Sequence, residues 1–389
     1  MSVLYADLSN LTRLANRKGS LEPGRRAYAL ARQVYADRAT DTLLYARTSY
    51  AAALGDEGDV AEGLSEMQAV LHKQQEILGP DNLQVEQTFG RLGGLWLKAG
   101  DPLSAIASLK EALRISILQS DGKPTSAVAI CRLNLGVMYA NAHRYNEALD
   151  EWRAADRAYS SLVGADSENA RMARSGIALA LTRLGRFDEA DAIFAALLGQ
   201  PFHGPSEQLL IKGRLGVLRS AQGRHEEALA LLRGVPDSLA NSPDRTRALA
   251  LAALGDALLA GGRFAQALEV LSPARAVLLR SQRNGSPDLA DTSLGIARAQ
   301  LALGHPAEAA AASAEAVAFW DRFDRNHRDS GLTLIWHARA LAAAGRVAEA
   351  AEVVARARAV LAIAGRPGDE ALLNEAQRAA RMMPTALRQ

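Results

Sequence analysis

Several residues of this sequence are of types that could do chemistry. His327-Arg328-Asp329 has the letters of a phosphoryl-transfer catalytic loop, in which the Asp would take a proton from a hydroxyl. That loop needs an Asn five residues after the Asp to hold magnesium, but position 334 is Leu, and no glycine-rich loop or Asp-Phe-Gly accompanies it. Gly122-Lys123 could cradle a phosphate only with an earlier Gly and a following Ser or Thr, and Pro124 stands there instead. The seven His (72, 143, 203, 225, 305, 327 and 337) show neither His-Glu-x-x-His nor any paired metal spacing. Cys131 is the single cysteine, which excludes an intramolecular disulfide; within Ala129-Ile130-Cys131 it reads as a small buried hydrophobe. Asn10-Leu-Thr12 and Asn284-Gly-Ser286 fit a glycosylation triplet, a pattern short enough to recur by chance. The expectation is a chain that is not an enzyme and has no cofactor and no metal.

The elements that carry these residues are set by a repeat. Gly185-Arg-Phe-Asp-Glu-Ala190, Gly223-Arg-His-Glu-Glu-Ala228, Gly262-Arg-Phe-Ala-Gln-Ala267, Gly304-His-Pro-Ala-Glu-Ala309 and Gly345-Arg-Val-Ala-Glu-Ala350 are copies of one motif. Gly100 to Ala105 and His143 to Ala148 are close variants, and Gly58 to Gly63 and Gly19 to Gly24 are weaker ones. A spacing of 38 to 43 residues sustained over nine such turns means one supersecondary unit stacked many times.

Each unit reads as helix, tight turn, helix. Apolar residues fall at three-and-four spacing on both sides, as at Phe89, Leu92, Trp96 and then Ile106, Leu109, Leu113. Glycine suits the turn because a helix commonly ends on a left-handed residue, which glycine adopts without strain. Pro102 and Pro306 stand in the first turn of a second helix, where a missing N–H costs little. Pro273 alone falls inside a predicted helix, which it should kink or shorten. Seven residues before the turns stand Thr12, Ala51, Gly93, Gly136, Ala178, Gly216, Gly255, Ala297 and Ala338, and five after them Ala or Gly, from Gly24 to Ala350. Small residues at both places let paired helices approach closely. The repeats run roughly 2–37, 40–79, 82–120, 124–163, 167–200, 206–235, 244–283, 287–325 and 329–365 within a 1–365 array. Residues 367–389 follow as a capping helix, predicted over Asp369 to Met383, and a tail.

Composition agrees. Hydrophobic residues make up 49% but aromatics only 5%, so the apolar surface is mostly Ala and Leu, which favours helix-on-helix packing over strands. The net charge of +2 gives no global pull toward nucleic acid or acidic membranes. No apolar run nears the ~20 residues that span a bilayer, and the first residues, with Asp7 and no apolar core, are not expected to act as a secretory signal. Only six of the 45 basic residues are Lys, an Arg-rich usage like that of GC-rich bacterial genomes.

Leu92-Gly93…Trp96…Gly100…Ala105 and Leu135-Gly136…Tyr139…His143…Ala148 resemble the tetratricopeptide repeat. Ile77-Leu-Gly-Pro-Asp81 and Leu162-Val-Gly-Ala-Asp166 resemble the connectors of kinesin-light-chain-type repeats of bacterial kind. The resemblance covers about residues 2–365. It implies an all-α, right-handed α-solenoid of about nine helix-turn-helix repeats whose first helices line a concave groove that holds a peptide or partner helix.

By register the groove would present Arg91, Lys98, Asn134, Asn141, Arg183, Arg214, Asp256, Arg298, Trp336 and Arg339. Asn134, in Leu133-Asn134-Leu135-Gly136, matches the groove Asn that such repeats set against a peptide backbone. Trp336, among Leu332, Ile335 and Leu341, reads as core packing rather than as a platform. A mildly basic groove suits an acidic peptide or protein. The expected function is a protein-interaction scaffold or adaptor; the alternative is the C-terminal regulatory or sensor module of a larger bacterial signalling protein, a Ser/Thr kinase or transcription regulator. The expected location is cytoplasmic, or extracytoplasmic if the chain is a fragment of a membrane kinase. No direct nucleic-acid contact is expected, and homo-oligomer formation stays open.

Overall fold

The repeat turns take the shape that their glycines predict. In a computed structural model that describes all residues except 15–18, 37, 39, 58, 241–243, 283–284 and 382–389, Gly19, Gly100, Gly185, Gly223, Gly262, Gly304 and Gly345 have φ between 71 and 103°. His143 does the same work at φ 58°. The N–H groups of Asp101, Arg144, Arg186, Arg263, His305 and Arg346 each reach the carbonyl five residues back at 2.8–2.9 Å, closing the preceding helix. The predicted turn at Gly58, Asn284 of the glycosylation triplet and the tail beyond Arg381 lie outside the described residues.

The chain divides into two compact units, one of Met1–Gln222 with Gly234–Arg247 and Ser281–Asn284, the other of Gly223–Arg233, Ala248–Arg280 and Gly285–Gln389. No strand occurs among the described residues. The first unit begins with α1 (Ser2–Leu14), α2 (Leu21–Tyr35), α3 (Asp41–Glu57), α4 (Val60–Leu78), α5 (Leu83–Lys98) and α6 (Pro102–Gln119). It continues with α7 (Ser126–Asn141), α8 (Tyr145–Val163), α9 (Glu168–Arg183), α10 (Phe187–Leu198) and α11 (Pro205–Ala221). Odd helices touch one another in series, and each even helix from α2 to α10 packs between the odd helix before it and the one after. That is the contact pattern of stacked hairpins.

The second unit holds α12 (His225–Leu232), while the single turn α13 (Val235–Ser238) belongs to the first. Most of α14 (Asp244–Ala260) follows in the second unit, with α15 (Phe264–Ser281), α16 (Pro287–Ala302), α17 (Pro306–Phe323), α18 (Arg328–Ala343), α19 (Val347–Ala364) and α20 (Asp369–Arg381). Here α16, α18 and α20 touch in series. Helix α15 runs unbroken through Pro273, so the predicted shortening does not occur. Pro273 faces solvent while Leu271, Ala274 and Leu278 are buried, so water can satisfy the carbonyl that the ring displaces.

The small residues are packing holes. Ala105, Ala148, Ala190, Ala228, Ala267, Ala309 and Ala350, five after the turns, are fully buried. A Cβ on Gly93 would lie 2.9 Å from Leu109, one on Gly136 2.6 Å from Trp152 and one on Gly255 2.4 Å from Leu271. The knob stands nine residues after the turn and the hole seven before it. Thr12 is the exception: it is only half-buried, and its hydroxyl donates to the Leu8 carbonyl within its own helix.

Candidate functional site

Two of the chemically suggestive motifs turn out to hold the fold together. His327 caps α18, its Nδ1 accepting from the Asp329 N–H at 3.1 Å, and its ring stacks on buried Trp320. Arg328 grips Asp369 at the start of α20 through two bonds of 2.8 and 2.6 Å. Cys131 is buried, which pushes its thiol up to about 12, and Sγ donates to Glu86 at 3.3 Å. No three His, Cys, Asp or Glu side chains converge on a metal position among the described residues, and no helix is long and apolar enough to cross a membrane.

In the first unit the odd helices share a largely buried polar network that begins in α1. Asn10 donates to the Tyr45 hydroxyl at 3.1 Å and to Ser49 at 2.9 Å, and Tyr45 donates to Asp7 at 2.7 Å. Burial, and then the bond to Asp7, raises the Tyr45 pKa. Asp56 on α3 receives both Arg13 from α1 and Lys98 from α5. Lys98 is therefore paired with a carboxylate that it shares with Arg13; loss of water lowers its pKa first, with Asp56 opposing. Arg91 is different. Burial and then the neighbouring Arg13 charge lower its pKa, and no carboxylate pairs with it among the described residues.

Asn134 on α7 is exposed and makes no hydrogen bond through its amide to any described residue. Asn141, about two helical turns later, donates to Val137 of its own helix at 2.8 Å. Arg183 is exposed at the end of α9. Arg214 on α11 is half-buried and lies 5.8 Å from the Trp152 ring centroid, where it donates to the Ser175 hydroxyl. Protein surrounds its guanidinium closely enough to push the pKa down to about 10, and no carboxylate offsets that loss of water. Arg91 and Arg214 are thus cations partly stripped of water without a counter-charge, which leaves them short of the partner that a carboxylate would be.

In the second unit Trp336 is half-exposed rather than core. The guanidinium of Arg298 lies 5.0 Å and that of Arg339 4.2 Å from its ring centroid, and Arg339 also meets Glu375 at 3.3 Å. Asp256 is exposed on α14. Sequence reading missed Asn10, Ser49, Arg13 and Tyr45. The signal was present for two of them: Asn10 and Ser49 stand nine residues before their turns, the register of Arg91, Asn134 and Arg214. None of the predicted residues lines the open cleft of about 480 Å³ formed by Ile117, Pro124, Val128 and Ala158 with their neighbours.

No protein-family model matches the sequence, and a comparison with curated proteins finds no match. Solved structures do share the fold. A chain of the APC/C hetero-tetramer Cut9-Hcn1 matches with a TM-score of 0.56 at 16% identity, covering 90% of this chain and 59% of that one. A tetratricopeptide repeat protein from Parabacteroides merdae ATCC 43184 aligns at 14% identity and a TM-score of 0.43, over 71% of this chain and 93% of its own. Kinesin light chain nearly identical TPR-like repeats from Podosopora anserina align at 19% identity and a TM-score of 0.35, over 52% and 98%.

Proposed function

We propose that this chain, built of tetratricopeptide-like helical hairpins, is a protein-interaction scaffold that holds an acidic, extended partner segment along the odd-helix face of its first unit. The observation that carries the reading is the pair Arg91 and Arg214, two crowded cations without a carboxylate, with the unbonded amide of Asn134 on α7, between α5 and α11 in the stacking order. A carboxylate from a guest restores to each guanidinium the charge-assisted bonds that burial removes. An amide at Asn134 both donates to and accepts from a peptide backbone. The preformed hairpins lower the ordering cost on the protein side, leaving chiefly that of the guest.

The test is fluorescence anisotropy with labelled Asp/Glu-rich, neutral and Lys-rich peptide pools. The native chain is expected to bind the acidic pool, more weakly as salt rises. The double variant Arg91→Ala with Arg214→Ala should lose at least tenfold in affinity, and Asn134→Ala a smaller factor. Equal binding of all three pools, or an unchanged affinity in the double variant, would refute the assignment.

A further inference from the structure

Two joints of the first unit are bridged by an aspartate that the joint between them lacks. Arg114 on α6 meets Asp81, in the connector between α4 and α5, at 2.8 Å, and Glu111 of its own helix at 2.9 Å. Gln119 at the end of α6 donates to the Asp81 carbonyl at 2.7 Å. Two joints on, Gln200 donates at 2.9 Å to the carboxylate of Asp166, in the connector between α8 and α9, and the His203 ring meets the Asp166 carbonyl at 2.7 Å. Asp81 and Asp166 each stand nineteen residues before a turn, and at that place in the intervening connector stands Pro124. Arg157 on α8 repeats Arg114, fourteen after the turn, but the position of Glu111, eleven after it, is Ala154. Arg157 therefore lacks both carboxylates that its counterpart has.

The cleft of about 480 Å³ opens at this joint, within the roughly 300–1,000 Å³ of ordinary ligand sites. Pro124 and Ala154 line it with Ile117 of α6, Val128 of α7 and Ala158 of α8. Its connector wall is fixed: the Gly122 N–H reaches the Ile117 carbonyl at 3.0 Å and the Lys123 N–H that of Ser120 at 2.9 Å. All the charged side chains that line it are cations. Arg132 has Glu151 at 2.9 Å, whereas Lys123 and Arg157 meet no carboxylate among the described residues.

We infer that this cleft binds a partner segment in which Leu, Ile or Val lies between acidic residues, a guest carboxylate taking at Arg157 the place that Asp81 takes at Arg114. The planar guanidinium can donate to both oxygens of that carboxylate. The aliphatic side chain covers Ile117, Val128 and Ala158, removing their surface from water. Lys123 and Arg157 come from different walls, the connector and α8, so acids on both sides of the apolar residue satisfy both cations. A free aliphatic carboxylate has one head and would leave one of them bare. The cleft is independent of the odd-helix face, since none of Arg91, Asn134 and Arg214 lines it.

Fluorescence anisotropy of the full chain with the labelled peptide Gly-Glu-Leu-Leu-Glu-Gly tests this. The native protein is expected to bind it, and to bind versions with Gln for both Glu, or Ser for both Leu, at least fivefold more weakly. Lys123→Gln with Arg157→Gln should lower the affinity at least tenfold. Pro124→Asp, which restores the carboxylate of the neighbouring joints, should lower it as well. Helical circular dichroism should not change in either variant, because all three altered side chains are exposed. No binding to the native chain, or equal binding of the Ser version, would overturn the inference. So would full displacement by decanoate at the peptide's own concentration, which would make the occupant a free amphiphile. Loss of binding in Arg91→Ala with Arg214→Ala, while the Lys123 and Arg157 variant binds as the native chain does, would place the peptide on the odd-helix face and overturn it equally.

Discussion

From α7 to α9 the hairpins are joined by an aromatic wedge, whereas from α9 to α11 they are joined by a buried ion pair. Trp152 on α8 fills the holes at both Gly136 and Gly176, where a Cβ would come within 2.6 Å of its ring, and donates its N–H to the Leu133 carbonyl at 3.1 Å. One joint further on, Arg171 and Glu207 pair with side chains only 1 and 4% exposed. Arg171 also bonds Gln200 and the Leu197 carbonyl, and Glu207 accepts from the His203 N–H at 2.6 Å. The difference follows helix length. Helix α8 has 19 residues and α10 only 12, so a polar connector lies where about two more turns of helix would be. Its backbone needs partners, and the ion pair supplies them. Arginine therefore meets two environments on adjacent odd helices: Arg171 is paired with a carboxylate and structural, while Arg214 donates to the Ser175 hydroxyl and has no carboxylate.

Removing one side of the ion pair should have the largest effect. Arg171→Ala strands a buried Glu207 and should destabilise the first unit by about 3–5 kcal/mol, measured by denaturant unfolding. Replacing both, Arg171→Met with Glu207→Leu, should recover most of that loss, since an apolar pair of like volume is often as stable. If the double variant is no better than the single, the connector depends on the charges themselves and not on the filled space.

Acid should distinguish the joints. Burial alone would raise the Glu207 carboxyl, but its bonds from Arg171 and the His203 N–H outweigh that and leave the pKa lowered. The stabilisation is full above the ordinary Glu value of about 4.3 and is lost as pH falls through that range toward the lower folded value. Asp369, held down in the same way by Arg328 and the Arg366 N–H against its burial, should release α20 in the same window. The Trp152 joint rests on an apolar ring, and its carboxylates, Glu151 paired with Arg132 and Asp156 with Arg174, are less buried than Glu207 and Asp369, so hydrogen exchange should show protection falling around Arg171 and α20 first. Simultaneous loss around Trp152 would erase the contrast.

Overpacking tests the hole at a third place. Ala190→Leu should cost roughly 1–3 kcal/mol, because the fully buried site has no room for three more carbons. An unchanged midpoint would show that the small residue is not a packing requirement. The smallest effect on stability should come from Arg214→Ala, below about 1 kcal/mol by the same unfolding assay, since no carboxylate loses its partner. A larger loss would move Arg214 into the class of Arg171.

What the sequence determined by itself is everything that depends on spacing. The turn glycines, the small residue seven before each turn, the Ala five after it and the prolines at helix starts are local requirements, and each repeat restates them. Periodicity also grouped the candidate groove residues, because residues nine before a turn take the same register on the first helix of each hairpin. What only the tertiary structure decided is which charge meets which. Asp56 lies 42 residues from Lys98 and 43 from Arg13, and Glu207 lies 36 from Arg171. One register thus yields an Arg91 without a carboxylate and a Trp336 flanked by two guanidinium groups, while Lys98, two before its turn, shares Asp56 with Arg13. The reason is physical: helix and turn formation are short-range, whereas the water around a charged group is displaced by whatever the neighbouring repeats bring against it.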